Sequence, residues 1–175
     1  MKKSSTLMEL IISISLLSVI ILGAVSFDLA SRNFLQSSER KTEVLNEIMY
    51  IIDYLQKELS EATGTIDNNA VSVSCAGVLC TVTIDKDGDG VVDPEDVTCI
   101  VNVSSGTNRM TCDGTVFSER ITASSMAAAG DGYGMVINNL TLRYDPAEVV
   151  DAKTNPEVII SGIYLAPSAQ PLDLP

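Results

Sequence analysis

Between Asp85 and Asp96 the chain concentrates oxygen donors at a spacing that can do chemistry. The run Asp85-Lys86-Asp87-Gly88-Asp89-Gly90-Val91-Val92-Asp93-Pro94-Glu95-Asp96 sets acids at positions 1, 3, 5, 9 and 12 of a twelve-residue loop, with glycine at 6 and an apolar residue at 8. Carboxylates at alternating positions can turn inward together and wrap one hard cation in oxygen, the chemistry of calcium rather than of zinc or copper. Gly90 permits the sharp turn that wrapping demands. The competing reading is a solvated acidic hairpin loop without an ion, in which five carboxylates repel one another.

The spacing resembles the calcium loops of EF-hands and of dockerins, the latter also accepting aspartate at the last position. The resemblance implies a ligand set of Asp85, Asp87, Asp89, the carbonyl of Val91, Asp93 directly or through water, and Asp96. The flanks, Thr81-Val82-Thr83-Ile84 and Val97-Thr98-Cys99-Ile100, read as strands. A single loop between strands has no helix pair to open, so the expected role of Ca²⁺ is structural. An affinity on the order of 10⁻⁴ to 10⁻³ M suffices outside the cell.

Sulfur is the second reactive element. Cys75, Cys80, Cys99 and Cys112 all fall in the C-terminal part, and an even number on an exported domain points to disulfides. If Val97 to Val103 and Thr107 to Asp113 form a hairpin with Val103 facing Asn108, Cys99 faces Cys112. The first choice is Cys99 with Cys112 and Cys75 with Cys80. Cys80 with Cys99 and Cys75 with Cys112 stays open, because the strands flanking the acidic loop can also pair. A four-thiolate zinc site competes, but gaps of four and twelve residues within the pairs suit it poorly.

The third feature is a carboxylate in an apolar place. Glu9 heads Leu10 to Phe27, 18 residues without a charge, close to the ~20 that a membrane-spanning helix needs. Lys2 and Lys3 before it favour a cytoplasmic N-terminus, with the rest of the chain outside. A carboxylate among lipid tails is expensive unless paired, so it marks a functional contact. Two plainer readings compete: a cleaved secretory signal, and a signal anchor in which Thr6 and Glu9 form a capping box.

Ser5-Thr6-Leu7-Met8-Glu9-Leu10-Ile11-Ile12 resembles the start of type IV pilins and type II secretion pseudopilins, where a short basic leader precedes a Thr-Leu-x-Glu core and a long apolar helix. This chain has Ser4 where the family usually has glycine and Ser5 where it has phenylalanine. The resemblance implies cleavage by the prepilin peptidase between Ser4 and Ser5, N-methylation of the new terminus, and assembly by an inner-membrane platform with identical or related pilin subunits. It also implies that Glu9 meets the α-ammonium of Ser5 in a neighbour, setting the axial stagger. The segment from Ser37 to Gly64 looks most like minor pilins and pseudopilins.

These sites need elements to carry them. From Phe27 the heptad positions fall on Phe34, Lys41, Ile48, Leu55 and Ala62 and on Ser31, Ser38, Leu45, Ile52 and Leu59, a stripe that is weak before Leu45 and good after it. One helix from Thr6 to Ala62 is expected, with 28–42 as a solvated neck, Val44 to Leu59 against a head, and Gly64 as its cap. Two helices broken near Gly23 or Asp28 are the alternative. Arg32, Arg40 and Lys41 read as a solvated face. Beyond Ala70, the runs Val71 to Ser74, Val78 to Ile84, Val97 to Val103, Met110 to Cys112, Met135 to Tyr144 and Val158 to Leu165 read as strands. The fold class is α+β: a long N-terminal helix packed by its second half on an antiparallel β-sheet head. The organisation is a leader (1–4), an apolar transmembrane or filament-core helix (5–27), its amphipathic continuation (28–62), a β-rich head with disulfides and calcium loop (63–165) and an extended tail (166–175).

Composition bounds the rest. The 175 residues carry 23 acids against 11 bases, a net charge of -12, of which -10 falls in residues 63–175. That balance argues against a nucleic-acid partner. Histidine is absent, which removes ordinary Ser-His and Cys-His hydrolases, and no carboxylate spacing singles out a catalytic pair. The Asn102-Val103-Ser104 and Asn139-Leu140-Thr141 sequons are weak signals. The sequence thus reads as a non-enzymatic filament subunit, held in the membrane and then displayed at the cell surface. A membrane-anchored, calcium-stabilised binding module that never polymerises is the alternative.

Overall fold

The apolar run continues into one uninterrupted helix, α1 (Leu7–Glu61), of 55 residues, about 83 Å at 1.5 Å per residue. This is seen in a computed structural model, which describes residues 7–63, 69–104, 106–130 and 134–166. The expected leader at 1–4, Ser5, Thr6, the Gly64 cap and the tail beyond Ala166 lie outside the described residues. No break occurs at Gly23 or Asp28.

Local chemistry explains the continuity. The hydroxyls of Ser13, Ser15, Ser18 and Ser26 donate to the carbonyls of Glu9, Ile11, Ile14 and Leu22, one turn back, at 2.8–2.9 Å. Their polarity is therefore satisfied within the helix, and the segment presents an apolar exterior. At the other end the Ala62 amide donates to the Leu59 carbonyl at 3.2 Å, tightening the last turn.

Only the second half of α1 has a buried face. Val44, Ile48, Ile51, Leu55 and Leu59, three or four residues apart, are at most 1% exposed. They lie on the head, which consists of two antiparallel sheets rather than the single one expected. Sheet one runs in order β1 (Val71–Ala76), β2 (Leu79–Ile84), β3 (Val97–Asn102), β4 (Arg109–Cys112) and β5 (Thr115–Ser118). Sheet two contains β6 (Ile121–Ala128), β7 (Met135–Arg143), β8 (Glu157–Ile160) and β9 (Ile163–Leu165). The helix lies along β7, β8 and β9, while β6 faces β1, β2 and β3. One core joins all three layers.

Sheet one alternates as its sequence suggests: Cys80, Val82 and Ile84 on β2 and Val97, Cys99 and Val101 on β3 point inward. Sheet two does not. The expected strand from Val158 to Leu165 is split at Ser161-Gly162, where Gly162 takes φ +70°. As a result β8 pairs with Leu140–Arg143 and β9 with Met135–Ile137 of the same strand. The inward phase of β7 changes between these partners, from Met135 and Ile137 to Leu140 and Leu142.

The neck is less solvated than its sequence suggests. Arg40 donates to the carbonyl of Thr154 and lies over the Tyr144 ring, 5.1 Å from its centroid. Ser37 donates to the Ala152 carbonyl at 2.9 Å. Arg120, in the turn between β5 and β6, reaches Glu43 at 2.8 Å and Glu47 at 3.2 Å. Burial draws the Arg120 pKa down, but the two carboxylates more than offset it and the net shift is upward. Phe117 stacks on Tyr50 and meets Tyr54 at a tilt, tying β5 to the helix.

Candidate functional site

The β2–β3 hairpin sets the base of the acidic loop. Ile84 stands opposite Val97, so Asp85 and Asp96 leave the ladder side by side, and both are buried. Burying an ionised carboxylate is costly unless donors meet it, and here the loop's own amides do so. Asp85 accepts the N–H of Gly88 at 2.6 Å and that of Gly90 at 2.9 Å, one on each oxygen. Asp96 accepts the N–H of Lys86 at 2.9 Å and that of Asp93 at 3.3 Å. Gly88 and Gly90 adopt φ +81° and +74°, the left-handed conformation in which a side chain is strained. A Cβ on Gly88 would also come within 3.0 Å of the Thr63 carbonyl oxygen.

Three of the five expected aspartates converge. Oxygens of Asp85, Asp87 and Asp89 lie within 4.8 Å of one another, with Asp87 and Asp89 facing solvent. Asp93 and Asp96 belong to the same loop but turn to backbone: Asp93 accepts the Glu95 amide at 2.8 Å, and Asp96 the two amides above. A set of oxygen donors only, open on one side, suits a hard cation.

The loop is fastened to the end of α1. Lys86 Nζ lies 2.6 Å from Glu58 and 3.1 Å from Glu61, and the Thr63 amide donates to the Asp85 carbonyl at 3.0 Å. The hydrogen bond to Glu58 raises the Lys86 pKa, against burial, and the bond from Lys86 lowers that of Glu61. The raised lysine contributes fully below about pH 10 and is lost as pH rises through its folded value. The depressed carboxyl contributes above about pH 4.5 and is lost as pH falls through its folded value. The tie is therefore complete between those limits. Lys86→Met removes the close cation of the buried Glu58 carboxylate, leaving Lys57 at 4.0 Å, and is expected to cost about 1–3 kcal/mol. Lys153→Met, at an exposed lysine, should stay within about 0.5 kcal/mol. Urea unfolding of the detergent-solubilised chain at neutral pH measures both.

Both disulfides join residues directly opposite each other. Cys75–Cys80 crosses β1 and β2, and Cys99–Cys112 crosses β3 and β4. The other pairing is blocked by register, since Cys80 faces Val101 and Val82 faces Cys99. No cysteine remains for zinc.

Glu9 lies in the first turns of α1, whose 18-residue apolar window is uncovered by the head. The helix is long and apolar enough to cross a membrane, and two disulfides fit a location outside the cytoplasm. Ser4 and Ser5, the expected cleavage pair, lie outside the described residues. Sequence reasoning missed the Arg40, Arg120 and Tyr144 cluster; two arginines and a tyrosine 24 to 104 residues apart in sequence leave no periodic signal. No family model, curated protein or solved structure matches the chain.

Proposed function

We propose that this chain is a structural subunit of a type IV pilus-like or pseudopilus filament, stored in the membrane and assembled through its N-terminal helix. The observation that carries this reading is the division of α1. One helix is sealed into a head from Val44 onward, and among the described residues the head does not cover its apolar first half. Such a half must be covered by lipid or by other helices. A single carboxylate at its start supports an exchange between the two, because Glu9 costs least where a neighbour's α-ammonium meets it. The prepilin-like residues Thr6, Leu7 and Glu9 support the same reading. Neither catalysis nor nucleic acid has a part in it. The test is recovery of the protein in the fraction sheared from the cell surface, as filaments visible by negative stain. Confinement to the membrane would favour the second reading, an anchored binding module, which the rigidly held acidic loop supports equally well.

In either reading we assign Ca²⁺ to the Asp85–Asp96 loop, with Asp85, Asp87 and Asp89 as the core of the site and the Val91 carbonyl, Asp93 and Asp96 completing it after local rotation. The ion's chemistry is charge neutralisation, which relieves repulsion among the carboxylates and braces the hairpin against the end of α1. At ~1 mM calcium and a dissociation constant of ~10⁻⁴ M the gain is about 1.4 kcal/mol, roughly 3–6 °C in melting temperature for a chain of this size. Calcium titration of the full chain should produce that rise, and Asp85→Asn should abolish it. Identical melting with calcium and with excess chelator would remove the ion from the account.

A further inference from the structure

The most exposed large apolar side chain among the described residues is not in the membrane-length segment. It is Val149, 88% exposed, followed by Val150 at 46%, at the tip of the 144–156 connection between β7 and β8. Val91 and Val92 on the acidic loop are also exposed, but the 144–156 loop holds its pair in place by a dense set of hydrogen bonds. Asn155, 1% exposed, donates to the carbonyls of Asp145 and Val149 at 2.9 and 3.1 Å and accepts the Asp145 amide at 2.7 Å. Asp151 and Asn155 exchange backbone hydrogen bonds at 2.8 and 3.0 Å, and the Asp151 carboxylate caps the Lys153 and Thr154 amides. Ser37 and Arg40 then fasten the loop to the helix. The valines are thus held out as a preformed knob, with little conformational entropy left to lose on docking.

The same neck offers a matching surface. Phe34, Ser38, Lys41, Leu45 and Met49, at spacings of three and four, share one side of α1. Phe34, Leu45 and Met49 are 73%, 38% and 55% exposed, and Lys41 is the charge on that side. Glu148 stands next to Val149 on the knob. Neither the Glu148 carboxylate nor the Lys41 ammonium has a hydrogen bond or ion pair with another described residue, so each is available to an outside partner. At roughly 100° per residue, the stripe lies about a quarter to a third of a turn from Ser37 and Arg40, where the molecule's own loop sits. Knob and stripe are therefore different patches at the same height on one rod.

We infer that the Val149–Val150 knob of one copy docks on the Phe34–Met49 stripe of a second copy, with Glu148 facing Lys41. This rests on the filament reading and deepens it. Because knob and stripe sit at the same height, two parallel copies side by side bring them together, and the stripe's length of roughly 22 Å accommodates a stagger of about one or two helical turns, ~5–10 Å. Because the two patches differ, the contact is heterologous and extends copy by copy instead of closing into a dimer. It lies beyond the apolar segment, at the level where the head begins, so it adds to register where the apolar segments alone would permit sliding.

The test places a photo-crosslinking phenylalanine analogue at position 149 of the full chain in cells. The expected product is a covalent dimer whose attachment maps to residues 34–49. Filaments of normal yield with no such attachment would overturn this contact while leaving the filament reading intact. A chain that never enters the sheared fraction would overturn both, and attachment to lipid alone would overturn the contact in favour of a membrane surface. Glu148→Lys and Lys41→Glu provide the second measurement. Each should lower filament yield about tenfold, and the double reversal should restore it; a double no better than the singles would contradict the pairing.

Discussion

Glu9→Ala is expected to reduce surface filaments by two orders of magnitude or more while the protein still enters the membrane. The alanine makes the segment from Leu7 to Phe27 more apolar, so insertion is, if anything, easier. Assembly is different, because the α-ammonium of a neighbouring subunit would enter the apolar filament core with its counter-charge gone. Removing one partner of a buried pair costs about 3–5 kcal/mol, a factor of about 10²–10⁴ at each contact, repeated along the filament. Glu9→Gln keeps an acceptor but not the charge and should fall between. Carbonate extraction measures insertion and the sheared fraction measures assembly. A normal filament yield from Glu9→Ala would contradict the assembly role, while loss of both would mean that the residue serves insertion instead.

The second large effect falls on the other half of the same helix. Leu55 is fully buried where α1 meets the core of the two sheets, so Leu55→Ala removes apolar contact and leaves a cavity, expected to cost about 2–5 kcal/mol. Against a typical stability of about 5–15 kcal/mol, the head would approach its folding threshold. Leu16→Ala, in the exposed apolar half, should change head stability by less than about 0.5 kcal/mol. Urea unfolding of the solubilised chain, with calcium held fixed, reads both. Equal effects at the two positions would mean that the helix folds as one unit with the head, against the division drawn here.

That division was legible in the sequence because it rests on periodicity: Ile48, Leu55 and Leu59 repeat at helical spacing, and the helix ends close to where the turn residues begin. The heptad reading also set Leu45 and Ile52 on the buried stripe, but Leu45 is 38% exposed and Val44 and Ile51 take the core positions, because the face follows 3.6 rather than 3.5 residues per turn. Four strands of sheet one were legible for a similar reason: Leu79–Ile84 and Val97–Asn102 alternate, and the turn chemistry between β3 and β4 sets Cys99 opposite Cys112; β5, four residues long, was not read as a strand and forms by pairing with β4. Sheet two was not. Ile121–Ala128 is rich in serine and alanine, weak strand formers, and becomes a strand through pairing with β7 and packing against sheet one. The division of the last apolar run into β8 and β9 depends on one glycine and on which part of β7 each piece meets, a tertiary choice.

The acidic loop divides along the same line. Its spacing gave the positions of all five aspartates, and the turn glycines take the conformations that the spacing requires. The orientation of each carboxylate is decided by the nearest amide, which spacing does not encode: Asp85, Asp87 and Asp89 converge, whereas Asp93 and Asp96 meet backbone N–H groups. Lys86, at a loop position to which the calcium-loop spacing assigns no ligand, is the fastening to Glu58 and Glu61.

The central claim is that the apolar half of α1 is processed and assembled in the manner of a pilin, and intact mass with N-terminal sequencing tests it most directly. Protein from the membrane and from the sheared surface fraction should be compared in one experiment. The account predicts a sheared-fraction chain that begins at Ser5, methylated at its new terminus. A chain that keeps Met1 and stays in the membrane would contradict it and leave an anchored head with its acidic loop.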